Sequence, residues 1–390
     1  MSRPGALTRL KQAADTSSAF VRNMVQRRTQ KHRFLLQDMS AYDVILRDGL
    51  MSVRHYKPLT ESEVLIEGQV QPVSRERHRI PLVLVPPLGV FAWIFDLMAD
   101  RSLVRYLLAH GYDVYLIDWG NPGRDDRFLT LETYVGYWFP VAMQAIREHS
   151  GSREQSLLGY CMGGLLSLFY LAHSGDKDVV NLVTIASPID SHKAPTGRIS
   201  AMLEKPFGLV RRTTGFRLDS LDERLFHIPG PMLSVLFKLT NPIGTVSSYL
   251  ELVRNLSDDD YVARYMTMNE WFTNMPDYPG GTVQEVMRGI GIYNHMARGG
   301  IRIGNRRANL SDVTCNLLAF AGDNDKIVSA PAAEAIMGVV GSRDKSFHIV
   351  PGGHAGVFTG GKAAHTTWAI SASWLATRSG GQRGQGGAAA

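Results

Sequence analysis

Three short stretches of this chain carry side chains able to do covalent chemistry. The first is Gly159-Tyr160-Cys161-Met162-Gly163-Gly164, a thiol inside a frame of small residues. A short apolar strand is expected over 156–158 and an apolar helix over 165–171. A nucleophile at such a strand-to-helix turn is held on strained backbone, and the glycines let neighbouring elements pack close. Cysteine here directs the chemistry toward thioesters, with which a thiol exchanges readily. A cysteine nucleophile needs a base, and the base needs an orienting acid. The second stretch, Pro351-Gly352-Gly353-His354-Ala355-Gly356, offers His354 as the base. The third, Gly322-Asp323-Asn324-Asp325-Lys326-Ile327-Val328, offers two acids. Asp325 is preferred over Asp323 because it stands directly before the Ile327-Val328 turn.

The developing oxyanion of acyl transfer needs backbone donors. The N–H of Met162, next after the thiol, is the first expected donor. The loop after Pro86-Pro87 supplies the second, with Leu88 preferred and Gly89 the alternative. Each donor contributes on the order of 3 kcal/mol to such a transition state. Cys315 has no glycine frame and reads as a core residue in an apolar strand. The stretch Gly299-Gly300-Ile301-Arg302-Ile303-Gly304 lacks the strand-then-helix context of a phosphate loop and reads as a turn.

The elements around these residues alternate. Strands are expected over 80–85, 112–117, 155–158 and 180–186, with helices over 93–110 and 131–149 between them. Such alternation implies an α/β architecture, a mostly parallel sheet wound on both faces. It stops near 190, resumes with a strand over 315–321, and continues through a helix over 330–340, a strand over 347–350 and a helix over 363–376. All three reactive stretches then follow the C-terminal ends of strands, where ligands meet an open parallel sheet. Nucleophile, acid and histidine arrive in that chain order, which is the order of the α/β-hydrolase fold.

The expected organisation has five parts. Residues 1–50 form a basic helical arm. Residues 51–189 form the first part of the core, opening with one or two edge strands over 51–75. Residues 190–310 form a helical cap insertion without strands, 311–378 the second part of the core, and 379–390 a disordered tail rich in glycine. The cap is rich in groups that could exclude water, among them Trp271, Phe272, Tyr278, Tyr293, Met266, Met268, Met275 and Met287. Core packing of the cap is the plainer reading of each.

Composition narrows the classes further. The chain has 390 residues, 44% of them hydrophobic, and a net charge of +6. No apolar run reaches the roughly eighteen residues of a membrane span, and no apolar leader segment opens the chain. Two cysteines leave no disulfide framework and fit a reducing, cytoplasmic compartment that keeps Cys161 a thiol. No metal-ligand spacing or nucleic-acid module appears. Basic residues concentrate in the arm, where Arg3, Arg9, Lys11, Arg22, Arg27, Arg28, Lys31 and Arg33 face Asp15 alone. The arm reads either as a solvated leader helix or as a segment that docks on an anionic surface or a partner. In the docking reading, deletion of residues 1–35 changes localisation and leaves soluble turnover largely intact.

These residues resemble the polyhydroxyalkanoate synthase family, over about residues 50–378. Asp96-Leu97 with Arg101-Ser102-Leu103-Val104-Arg105 is similar to that family's stretch after the first buried strand, and Asp113-Val114-Tyr115-Leu116-Ile117-Asp118-Trp119-Gly120 to its next strand and turn. The elbow is similar to its lipase-like box with Cys in place of Ser. Asn181-Leu182-Val183-Thr184, Pro188-Ile189-Asp190, Pro279-Gly280, Asp312-Val313-Thr314-Cys315, Asp325 and Gly352-Gly353-His354 also fit. The length is nearest the short synthases that work with a separate accessory subunit. The chain departs from the pattern at Lys326, where the family often has His, and at Ser329, where Pro is common.

The resemblance implies an acyltransferase that polymerises 3-hydroxyacyl-CoA. Cys161 carries the acyl group, His354 is the base, and Asp325 orients His354 or assists hydroxyl activation. No cofactor is implied, since CoA is part of the substrate and is released. It further implies a growing polyester as second substrate, a homodimer or hetero-oligomer, and a cytoplasmic location at polyester granules. The alternative is a hydrolase, a thioesterase, esterase or polyester depolymerase that uses the same three residues with water as acceptor. A non-enzymatic binding role fits poorly with an intact set of all three.

Overall fold

The computed structural model of the protein describes residues 6–195, 197–239 and 242–380. Most of the tail predicted over 379–390, and Arg3 of the arm, lie outside the described residues. The strands are β1 (Tyr42–Asp48), β2 (Met51–Tyr56), β3 (Glu63–Ile66), β4 (Gln69–Pro72), β5 (Leu82–Val85), β6 (Asp96–Met98), β7 (Arg101–Ser102), β8 (Val114–Asp118), β9 (Gln155–Tyr160), β10 (Val179–Ile185), β11 (Gly300–Ile303), β12 (Arg306–Asn309), β13 (Asn316–Gly322) and β14 (Lys345–Val350). Eight of them make one sheet in the order β1-β2-β8-β5-β9-β10-β13-β14. From β8 to β14 every neighbouring pair is parallel, while β1 and β2 enter antiparallel at one edge. The central strands β5 and β9 are buried along their whole length. This is why they read as continuous apolar runs: helices cover both faces.

The helices are α1 (Ala6–Thr29), α2 (Leu103–Ala109), α3 (Phe139–Ser150), α4 (Met162–Ser174), α5 (Gly197–Thr214), α6 (Gly230–Leu239), α7 (Pro242–Arg254), α8 (Asp259–Thr273), α9 (Gly280–Val286), α10 (Ala330–Glu334), α11 (Ile336–Val339), α12 (Gly356–Thr359) and α13 (Ala369–Ala376). Two cores form on opposite faces of the sheet. One places α3 and α4 against Val83, Leu157 and Leu182; the other places α2 and α13 against Leu82, Leu84 and Leu158.

Several boundaries differ from the sequence expectation. The helical arm ends at Thr29, and β1 belongs to the sheet rather than to the arm. Arg54 of β2 fixes this edge by pairing with Asp38 at 2.7 Å and Asp118 at 2.5 Å. The helix expected over 93–110 is a 3-10 turn (Ala92–Phe95), the small β6–β7 hairpin and then α2. Buried Asp96 causes the break by accepting hydrogen bonds from the Ser40 N–H, the Ser40 hydroxyl and the Ser102 hydroxyl. Ser102 also caps α2 through the Arg105 N–H. The helix expected over 131–149 opens as a π-helix (Glu132–Trp138) before α3. The cap is not strand-free: β11 and β12 form a hairpin whose turn carries Gly304 at φ 53°. The glycine-rich stretch read as a turn is therefore one strand of that hairpin and its turn. Cys315 precedes β13 rather than lying in it, and burial pushes its thiol up to about 12.

Candidate active site

The site is assembled at the C-terminal ends of β9, β13 and β14. β9 pairs with β5 on one side and β10 on the other, so the turn after Tyr160 emerges mid-sheet. Cys161 occupies that turn with φ 50° and ψ −116°, backbone that a residue with a Cβ adopts only under constraint. The constraint is visible. The Cys161 N–H donates to Ile185 O at 2.7 Å, and the Cys161 carbonyl accepts from the Ser187 hydroxyl at 2.8 Å. Two glycines make the approach possible. A Cβ on Gly163 would stand 1.9 Å from the Val85 carbonyl oxygen, and one on Gly164 would stand 2.1 Å from the Ser187 hydroxyl. The small-residue frame thus packs the start of α4 directly on the end of β5 and on the loop after β10.

His354 follows β14 and is buried beside the elbow, at 8% exposure. Its Nδ1 donates to Asp325 Oδ2 at 2.8 Å. The other carboxylate oxygen, Oδ1, accepts from the N–H groups of Ile327 and Val328, each at 2.8 Å. The turn that singled out Asp325 in the sequence is therefore what clamps its carboxylate. Asp323 has a different task. Its Oδ1 accepts from the Gly352 N–H at 2.9 Å and ties the histidine loop to the end of β13. Of the two candidate acids, only Asp325 meets the imidazole.

Burial by itself disfavours a charged imidazole. In His354 the charge on Cys161, the hydrogen bonds to Asp325 and Cys161, and the charge of Asp325 outweigh burial and hold the ring well above its ordinary value. Tyr160, which the sequence offered only as part of the elbow, supports the base. Its hydroxyl donates to the His354 carbonyl at 3.0 Å, and its ring lies 5.4 Å from the imidazole and stacks on Phe358 at 4.3 Å. No local pattern marks this role, because the contact spans almost two hundred positions.

Met162 opens α4, so its N–H is one of the first-turn donors without an intrahelical acceptor. Leu88 is buried in the loop after β5. That loop is held by the Trp119 indole N–H, which donates to Pro86 O at 2.9 Å. The ring of Tyr278, from the cap, lies 3.6 Å from where a Gly89 side chain would begin. The loop after β5 starts against the elbow, where Gly163 packs on Val85 and Pro86.

A cavity of about 790 Å³ opens on His354. The histidine and acid loops form one wall, and Phe237 of α6, Ser248 of α7, and Met268 and Phe272 of α8 line the other. Cys161 is not part of that wall. Among the cap residues singled out by the sequence, Met268 and Phe272 line the cavity, whereas Trp271 and Met275 are buried in packing and Met266 packs under the arm. Tyr293 lines a separate pocket. The rim is cationic: Arg101 pairs with Glu67 and Arg264 with Asp100, while Lys238 and Lys326 have no carboxylate partner among the described residues.

The comparisons with known proteins agree with this geometry. A family model described as alpha/beta hydrolase fold matches residues 94–361. The chain is 33% identical over 304 residues to the poly(3-hydroxyalkanoate) polymerase subunit PhaC of Allochromatium vinosum, covering 78% of this chain and 82% of that one. It belongs to the poly(3-hydroxyalkanoate) polymerase family. The PhaC subunit of a Synechocystis species is 30% identical over 321 residues, covering 82% of this chain and 83% of its own. Among solved structures, a lipase-like protein of Sulfolobus solfataricus superimposes with a TM-score of 0.50 at 14% identity, covering 87% of this chain and 99% of that one. That likeness concerns the fold alone. Within the described residues of this family member, no helix is long and apolar enough to cross a membrane.

Proposed function

We propose that the protein polymerises 3-hydroxyacyl groups from CoA thioesters through a covalent thioester on Cys161. The observation that carries this reading is the coupling of the elbow thiol to a histidine that is itself held by Asp325 at 2.8 Å. The Cys161 thiolate attacks the thioester carbonyl, and the backbone N–H groups of Met162 and Leu88 receive the negative charge that develops on its oxygen. The carbon–sulfur bond to CoA breaks, and the His354 imidazolium protonates the departing CoA thiolate. One thioester replaces another, so the step is nearly isoenergetic.

Acylation also removes the charge of Cys161, the largest influence holding the His354 ring up. Its loss, with burial still acting against the charged ring, moves His354 toward the neutral imidazole, which is the state a base requires. His354 takes the proton of a 3-hydroxyl group as its oxygen attacks the acyl-Cys161 carbonyl. An ester forms, the carbon–sulfur bond to Cys161 breaks, and the thiolate–imidazolium pair returns. The balance needs no cofactor. The cap side of the cavity, with Met268 and Phe272, favours an acyl chain over water, and Lys238 and Lys326, without a carboxylate partner among the described residues, suit the phosphates of CoA. By analogy with relatives named as subunits, the protein works with an accessory subunit, in the cytoplasm, at the surface of polyester granules.

The test supplies purified protein with 3-hydroxybutyryl-CoA, with and without a candidate accessory subunit, and measures CoA release and the fate of the acyl group. Polymer with stoichiometric CoA is the expected result. Free 3-hydroxybutyrate in place of polymer would show water to be the acceptor and overturn the polymerase reading.

A further inference from the structure

One cap residue is tied down along its backbone and left without a partner at its tip. Tyr278 stands in an antiparallel bridge with Ile228. Its N–H donates to Ile228 O at 2.8 Å, and its carbonyl accepts from the Ile228 N–H at 3.1 Å. Asp277, just before it, doubles the hold. One carboxylate oxygen accepts from the Gly230 N–H at 2.8 Å, and the other meets His227 Nε2 at 3.0 Å. Gly230 lets the two segments close, since a Cβ there would stand 1.9 Å from the Met275 carbonyl oxygen. A side chain carried on backbone fixed at this many points is already in place when a ligand arrives.

The ring that this frame carries reaches the surroundings of the nucleophile. Its edge lies 3.6 Å from where a Gly89 side chain would begin, and Leu233 Cδ2 lies 3.3 Å from the same point. The loop after β5 is thus roofed by one aliphatic side chain and one phenol. Burial and the charge of Cys161 both raise the Tyr278 hydroxyl, and no hydrogen bond acts on it. It stays an O–H donor, stands within the field of the thiol, and makes no hydrogen bond to that thiol or to any other described residue. Neither Tyr278 nor Cys161 lines the large cavity that opens on His354, so the phenol belongs to the thiol's own surroundings. A donor withdrawn from water costs stability unless something bound beside it accepts its hydrogen bond.

We infer that Tyr278 determines specificity by donating its hydroxyl hydrogen to the 3-hydroxyl oxygen of the acyl group on Cys161. The inference rests on the polymerase reading above. In that reading the acyl carbonyl has the backbone donors of Met162 and Leu88, and the acyl carbons have apolar neighbours such as Leu233. The 3-hydroxyl is the one polar group still to be matched, and the phenol is the donor still to be used. A site that hydrogen-bonds a substrate hydroxyl rejects the analogue without it, because its own polar group then stays unpaired. The test gives the full chain, unaltered or with Tyr278→Phe, either 3-hydroxybutyryl-CoA or butyryl-CoA, with and without a candidate accessory subunit. The first turnover is read as CoA release and as acyl mass on Cys161. Phenylalanine keeps the ring on Gly89 and removes only the hydroxyl. The unaltered protein should prefer the 3-hydroxy substrate, and Tyr278→Phe should lower that preference by about tenfold, the equivalent of one hydrogen bond. The loss should fall on 3-hydroxybutyryl-CoA alone. Tyr293→Phe, at a cap tyrosine that lines a separate pocket, should keep the preference. Equal slowing with both thioesters in Tyr278→Phe would move the hydrogen bond to the acyl carbonyl and overturn the inference. So would acylation of Cys161 with an unchanged preference, which would leave the polymerase reading standing. If neither thioester acylates Cys161 in the unaltered protein, the polymerase reading fails and this inference fails with it.

Discussion

The thiol-bearing turn and the helical roof above it are fixed by different kinds of contact. At the turn, backbone meets backbone: Gly163 lies against the Val85 carbonyl, and paired N–H groups hold Asp325. In the roof, side chains from outside the cap do the fixing. Asn23 of α1 donates to Leu256 O and to Asp259, Lys31 pairs with buried Glu270, and Phe34 joins Leu252, Leu256, Val262 and Met266. Backbone packing allows one arrangement and tolerates no added atom, which suits covalent chemistry. Side-chain docking leaves α8 able to adjust, which suits a wall that a lengthening product must pass. The two regions should therefore break differently.

The largest effects belong to the turn. Cys161→Ala should abolish CoA release, and turnover retained in that variant would remove the nucleophile assignment. Asp325→Asn should lower turnover by roughly 10²–10⁴-fold, as expected for loss of a group that orients a base. Asp323→Asn should change turnover by less than about tenfold and act chiefly on stability, by about 1 kcal/mol for its hydrogen bond to Gly352. Steady-state rates and thermal melts on the two Asn variants check the ranking, and the reverse order would exchange the acids.

A second measurement sharpens the account of the turn. His354 is held above its ordinary value mainly by the charge of Cys161, against burial, which lowers it. In Cys161→Ala that charge is gone, so the titration midpoint of His354, followed by its imidazole resonances, should fall. As pH rises, the ring should then lose its proton at a lower pH than in the unaltered protein. Asp325→Asn should also lower the midpoint. An unchanged midpoint in Cys161→Ala would mean that no thiolate forms beside the ring, and the base would have to act on a neutral thiol.

The turn was the more legible region in the sequence, and the reason is physical. Its constraints are local: a glycine that must pass a carbonyl, an aspartate placed two and three residues before the N–H groups that clamp it, a histidine in a loop without bulky neighbours. Each leaves a signature within a few positions. The parallel sheet was equally readable, because strands buried on both faces are apolar throughout. The errors fell where distant partners decide. Asp96 breaks an apolar helical pattern because Ser40, far upstream, needs an acceptor. Strand β1 is hard to separate from the arm because its exposure alternates irregularly at a sheet edge. The hairpin β11–β12 is too short to stand out in a stretch otherwise helical. The cap's aromatic and methionine residues could not be sorted by sequence into cavity lining and packing, since that depends on which side of α8 each occupies.

The arm is where the comparison changes an expectation. A solvated or freely docking leader could be deleted without loss of soluble turnover. Packed as it is on α8, whose Arg264, Tyr265, Met268 and Phe272 face the cavity, the arm acts on the wall itself. Deletion of residues 1–35 should lower soluble CoA release by roughly tenfold through misplacement of that wall, and should raise hydrogen exchange in α8 while leaving β9 and α4 protected. Loss of the Lys31 partner alone should cost about 1–3 kcal/mol, because Glu270 stays buried while Lys31 is half exposed. Unchanged turnover and unchanged exchange in α8 would return the arm to the status of a leader.

The smallest effect separates two neighbours on α1. Arg22 and Asn23 both reach Asp259, Arg22 through a two-pronged ion pair at 2.6 and 2.8 Å. Counted by charge, Arg22 should matter more. Yet the members of that ion pair are 45% and 62% exposed, so water competes for each, and Arg22→Ala should cost no more than about 0.5 kcal/mol, less still at high salt. Asn23 is 1% exposed and supplies the donor for the Leu256 carbonyl at 2.9 Å, where α7 turns toward α8. Asn23→Ala leaves that carbonyl buried without a partner and should cost about 1–3 kcal/mol, independent of salt. Chemical denaturation of the two variants at low and high ionic strength reads both quantities. If Arg22→Ala proved the more damaging, the arm would be held by charge and would detach as salt rises. With the order predicted here it stays on the cap at any ionic strength, held by a buried hydrogen bond that salt does not screen.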